Sequence, residues 1–155
     1  MDLSFYYLFY KINFQTLNMF VLHEKLRQDT FLLGHLELCQ VLLMNDMNYP
    51  WLILVPQKNN LVEIFDLSFD QQIQLLKEIN FVTDVLKKEY SCDKFNIANL
   101  GNVVSQFHVH VVVRKKNDAT FPKPIWGNAS TIPYSDKNLE ITFNKLQKYF
   151  VDKKL

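Results

Sequence analysis

An α+β fold, with an antiparallel sheet, a long central helix and a C-terminal helix, follows from three features of this 155-residue sequence. Apolar runs of strand length are joined by connections too short for parallel crossovers, so the strands pair antiparallel. A long stretch of helical periodicity opens on a capping box. A second amphipathic stretch closes the chain.

In chain order, Phe31–Leu33 and Leu38–Leu43 are short apolar runs divided by Gly34-His35, which predicts a hairpin. Asn45 to Pro50 is a turn by composition, and Trp51–Val55 is a buried strand bounded by Pro50 and Pro56. Ser68-Phe-Asp-Gln71 has the capping-box spacing, and Leu75, Leu76, Ile79, Val82, Val85 and Leu86 continue a helix to about Lys88. Phe95–Leu100 and Ser105–Arg114 read as two more strands, with Gly101-Asn102 as a tight turn between them. Leu139, Phe143, Leu146 and Phe150 describe the final helix, from about Asp136 to Val151.

A chain of this length buries roughly 70% of its unfolded surface, and with 48% apolar and 14% aromatic residues it has the material for a substantial core. A net charge of +1 gives no support for nucleic acid or an anionic membrane as partner. Cys39 and Cys92 lack metal-ligand spacing and are expected to be reduced thiols of a cytoplasmic protein. Residues 4–10 are strongly aromatic, yet the run is too short to span a bilayer and Asp2 stands where a signal peptide is basic. Residues 1–18 are therefore expected to be an extension outside the fold, and residues 19–155 a single domain.

The chemistry concentrates in Gln106-Phe-His108-Val-His110-Val-Val-Val-Arg114, which holds two of the four histidines. Strand alternation sets Gln106, His108, His110 and Arg114 on one face, and Phe107, Val109, Val111 and Val113 on the other. Three readings stand beside one another. On the first, the histidines are satisfied by hydrogen bonds and have no chemical role. They could supply two imidazoles to zinc, with His23, His35 or a carboxylate as a further ligand. Or one of them, neutral at cellular pH, could attack phosphorus while a partner fixes its tautomer. With only three glycines there is no Walker loop or dinucleotide fingerprint, and no Gly-x-Ser-x-Gly elbow occurs.

The histidine segment resembles the signature of the histidine triad superfamily of nucleotide hydrolases and transferases. The similarity extends over residues 20–127: Leu43-Met-Asn45-Asp and Pro50–Pro56 resemble its early strands, Ser68–Lys88 its long helix, and Asn99-Leu-Gly101 the strand before the histidines. The Arg114, Asp118 and Trp126 tail is similar to a bacterial subgroup of histidine triad hydrolases. The resemblance implies attack by His110 on the α-phosphate of a nucleotide conjugate, through a covalent nucleotidyl-histidine, with His108 orienting the site. It implies ribose contact by Asn45, a place near the phosphates for Asn99, a homodimer that extends the sheet, and no required metal or cofactor. Asn45 could equally serve only the turn before Pro50.

Two departures bear on substrate and turnover. Val112 stands where the family has its third histidine, and Val104 where it often has Gln, leaving Ser105 or Gln106 as replacement phosphate donors. They favour the alternative of a non-catalytic nucleotide-binding or signalling module. Arg114 lies about 13 Å beyond His110 along an extended strand and is read either as a distal phosphate contact or as a surface charge. Trp126, with Phe121, would either stack on a base or bury against the sheet. The base, the leaving group and the choice between hydrolysis and transfer stay open.

Overall fold

The apolar runs form a five-stranded sheet in a computed structural model that describes residues 19–151. The extension expected over residues 1–18 lies outside the described residues. The strands are β1 (Thr30–His35), β2 (Cys39–Met44), β3 (Trp51–Pro56), β4 (Lys94–Ala98) and β5 (Val109–Arg114). They lie in the order β1-β2-β3-β5-β4, every neighbouring pair antiparallel. β5 enters between β3 and β4, and all six of its residues are buried.

The helices are α1 (Glu24–Asp29), α2 (Phe69–Glu89) and α3 (Asp136–Gln147), with a 3₁₀ turn at Ile64–Asp66. The expected capping box opens α2: Ser68 Oγ accepts the Gln71 N–H, and the Gln71 side chain accepts the Ser68 N–H. Leu75, Val82, Val85 and Leu86 bury on one side of α2, against Leu43, Leu54, Val111 and Val113 of the sheet. Each such side chain contributes about 1.5–3 kcal/mol. α1 carries too few residues to show a period, and its cap is His23, whose Nδ1 accepts the Lys25 N–H at 3.1 Å.

Three expectations are corrected. Gly34 does not divide two strands; it belongs to β1, beside a register shift between Leu32 and Gly34. A Cβ there would come within 2.8 Å of the Phe150 carbonyl carbon, so the glycine admits the end of the chain against the sheet. α3 stops at Gln147 rather than Val151, and a turn carries Phe150 into the core. The last strand begins at Val109 rather than Ser105, so residues 99–108 form a connection and Gly101-Asn102 is not a tight turn. The reason is visible in the backbone: the Phe107 N–H donates to the Leu61 carbonyl rather than to a strand partner.

The second face of the sheet is also covered. Leu42, Trp51, Ile53 and Val112 meet Leu26, Val104 and Ile125, so β3 and β5 are buried on both sides. No helix among the described residues is long and apolar enough to cross a membrane.

Glu78 joins the helix layer to the sheet. It is fully buried on α2; Oε1 accepts the Leu38 N–H at 2.6 Å and Oε2 the Cys39 N–H at 3.0 Å. Burial, followed by this carboxylate's charge, pushes the Cys39 thiol well above the usual range. Removing the carboxylate strands two buried donors, so Glu78→Ala should lose about 2–4 kcal/mol of stability in denaturant unfolding. A loss under about 0.5 kcal/mol, the range of ordinary surface substitutions, would show the tie to be dispensable.

Candidate active site

Alternation along β5 sends Val109, Val111 and Val113 into the helix-side core. His110 and Val112 face the other way, with Val112 in the cluster that holds Trp51 and Ile53. That cluster occupies the position of the expected third histidine with apolar packing. His108 sits one residue ahead of the strand and still comes beside His110, the ring centroids 4.7 Å apart and nearly perpendicular. The two are 3% and 7% exposed.

Each ring has one nitrogen tied. Nδ1 of His108 lies 2.7 Å from the Gln106 carbonyl oxygen, which can only accept, so Nδ1 carries the proton and Nε2 the lone pair. Nδ1 of His110 accepts from the Trp51 indole N–H at 3.1 Å. Burial lowers the pKa of His108, partly opposed by the Gln106 bond. Burial, with a smaller effect from His108, pushes His110 down to about 3. Trp126 completes the group, its ring 5.4 Å from His110 and 6.1 Å from Trp51. Together with Leu26 and Val104 these side chains line a recess of about 200 Å³. Val104 therefore contributes an apolar wall where the family often has Gln.

The other expected site residues do not line this recess. Asn99 is nearest in effect: its Nδ2 donates to the His108 carbonyl at 2.8 Å. Ser105 is exposed on the connection. Gln106 turns to the chain that leads into α1, accepting the His23 N–H and donating to the Val21 carbonyl. Asn45 Oδ1 accepts the Tyr134 N–H at 2.9 Å, pinning the segment after Trp126.

Arg114 is not a surface charge, being 2% exposed. Its Nε and Nη2 donate to the two oxygens of Asp118 at 2.7 and 2.9 Å. Nη1 donates to Asn96 at 2.6 Å, and Nη2 also to Thr120 and the Lys123 carbonyl. With this many donors engaged, the guanidinium serves the loop after β5. As for further ligands, His23 caps α1 and His35 is bonded to Gln57. No group of three His, Cys, Asp or Glu residues among the described residues could hold a metal ion.

Sequence reasoning took Trp51 as core and missed its bond to His110. A buried indole usually finds a partner for its N–H, which is the available signal. The partner itself emerges only from the register that sets Trp51 opposite Val112 and Ile53 opposite His110.

Two pH dependences follow. A histidine held neutral by burial stabilises the fold fully above its unfolded pKa of about 6.5, and that stability is lost as pH falls, through the folded value of about 3. The wild type should therefore lose up to about 5 kcal/mol across that window, and His110→Phe should flatten the slope; equal slopes would refute it. Asp118 is held well below the usual carboxylate range, first by Arg114 and then by backbone N–H groups. Asp118→Asn should cost about 3–5 kcal/mol at neutral pH. Because the depressed carboxyl stabilises only while ionised, the gap to wild type should narrow as pH falls below about 4.

A family model described as the HIT domain matches residues 25–117. A histidine triad protein from Bradyrhizobium japonicum is 42% identical, with 85% of this chain and 98% of that chain covered and a TM-score of 0.82. One from Marinobacter aquaeolei is also 42% identical, covering 85% and 96% with a TM-score of 0.82. A third, from Sinorhizobium meliloti, is 40% identical over 84% and 97%, with a TM-score of 0.80. No curated protein matches the chain. The antiparallel sheet, the histidine pair at its centre and these relatives agree, and the chain belongs to the histidine triad family.

Proposed function

We propose that this chain binds a nucleotide conjugate and carries out hydrolysis or transfer at its α-phosphate. The observation that carries the reading is the pair of buried histidines, their ring centroids 4.7 Å apart in a recess with aromatic walls. A neutral imidazole is a competent nucleophile, and splitting one displacement into two lowers each barrier. His110 is the attacking group, forming a nucleotidyl-histidine that water or another acceptor resolves. His108, with its proton fixed on Nδ1, offers Nε2 to orient or accept from a bound group. Asn99 steadies the backbone between them. The mechanism needs no metal or cofactor.

Asn45, Ser105 and Gln106 remain proposed contacts to ribose or phosphate, and a bound ligand would have to recruit Asn45 and Gln106 from their present partners. Arg114 is assigned to the architecture instead. The protein acts as a homodimer through β4, supported by the position of that strand at the sheet edge and by the exposure of Ile97. Free Cys39 and Cys92 fit a reducing cytoplasm. A non-catalytic nucleotide-binding module is the second reading, favoured by the apolar Val112 and Val104.

Adenosine phosphoramidate, with intact-mass detection of the protein, separates the two. Turnover and an added adenylyl mass are expected for wild type, with loss of at least ~10³-fold in His110→Ala and of about 10²-fold in His108→Ala. Nucleotide binding without turnover or adduct would sink the enzymatic reading and leave the binding module.

A further inference from the structure

Most polar groups around the recess are committed within the protein. The Thr30 hydroxyl donates to the Leu26 carbonyl at 2.6 Å, Lys25 to Asp29 at 2.7 Å, and the Trp51 indole to the His110 ring at 3.1 Å. His108 gives its Nδ1 proton to the Gln106 carbonyl. Trp126 differs. Its ring lines the same recess, 5.4 Å from His110 and 6.1 Å from Trp51. Yet its indole N–H is buried with no partner among the described residues. An indole nitrogen can only donate, and a buried donor without an acceptor is unfavourable unless a ligand supplies one.

We infer that the Trp126 indole N–H is a phosphate donor, holding a non-bridging oxygen of the nucleotide phosphate that sits against His110. This rests on the nucleotide-binding reading and names a residue for it. Three observations favour phosphate over the base as the acceptor. The ring stands beside His110, where that reading sets the phosphorus. An anionic oxygen holds an N–H more strongly than a neutral acceptor does. And Val104 puts an apolar wall where the family often has Gln, so a donor missing from the connection is supplied from the strap after β5. The backbone under Trp126 is prepared for this. Asn128 Nδ2 donates to the carbonyls of Pro124 and Trp126, its N–H donates to that of Ile125, and Ile125 is buried. The Trp126 side chain itself is only part-buried, which leaves the ring room to tilt its N–H onto an entering oxygen. A donor fixed on a pinned turn needs little reorganisation when the ligand arrives.

The test is NMR on the ¹⁵N-labelled full chain, titrated with AMP and with adenosine, which differ only in the phosphate. The chain has two tryptophans, so there are two indole N–H signals, and Trp126→Phe assigns them while keeping an aromatic ring in place. AMP should move the Trp126 signal strongly downfield, and adenosine should leave it near its free position. Trp126→Phe should weaken AMP about tenfold, the worth of one hydrogen bond to a charged group, and leave adenosine binding unchanged. Equal responses to the two ligands, or equal losses of both in the variant, would mark a ring that stacks on the base and overturn the assignment. AMP affinity untouched by Trp126→Phe would overturn it as well. If the wild type binds neither ligand, the nucleotide reading fails on its own account, and inorganic phosphate decides the donor: a shifted Trp126 signal supports it, and an unmoved one overturns it.

Discussion

A guanidinium cannot shed its charge inside a protein, so a buried arginine must have its donors paired. Arg114 ends β5 under this constraint, and much of the site follows from how it is met. Asp118 binds it through both oxygens and also accepts the N–H groups of Lys115, Thr120 and Phe121, which curls the chain back on itself. Asn96 joins from the edge strand, Thr120 and the Lys123 carbonyl from the returning loop. The rings of Tyr49 and Phe121 lie 5.8 and 5.9 Å from the guanidinium carbon. From this knot the chain runs two residues past Lys123 to bury Ile125 and lay Trp126 against His110. Farther on, the strap is stitched to the turn before β3: Met47 N–H donates to the Ile132 carbonyl, Asn48 to that of Ser130, and Tyr134 N–H to Asn45.

What the sequence made legible is what local physics controls. The Ser68 capping box and the period of α2 are written within one helix, and both appear as read. The two-residue period of β5 likewise sets His110 apart from Val109 and Val111. Its start is not local, because Phe107 leaves the ladder for Leu61, a partner some forty-six positions back in the chain. Extending the period to Gln106 therefore gave that side chain a face it does not have. The histidines survive the error because His108 is brought to His110 by its bond to the Gln106 carbonyl. Gly34 misled for the complementary reason: what requires a glycine there is Phe150, more than a hundred residues later.

Arg114 shows the same limit. Its spacing to Asp118 was legible, but a pair four residues apart on the surface and one sealed beneath two aromatic rings carry the same sequence pattern. Strand alternation picked out the histidines, the family resemblance supplied the chemistry proposed for them, and the hydrogen bonds supplied the tautomer of His108. Trp51 needed the register of β3 on β5 before its N–H had an address.

The electrical character of the recess has one more consequence. Its histidines are uncharged, Arg114 is spent elsewhere, and the lining Lys25 is bonded to Asp29 at 2.7 Å. An unpaired charge would reach about 8–10 Å into physiological salt solution, whereas N–H dipoles act only near contact. Among its described lining residues the recess therefore leaves no unpaired charge to act over that distance, and it holds an anion by contact. Discrimination falls to what happens after arrival, where the shape of the aromatic walls and the direction of a few N–H groups decide which anion stays.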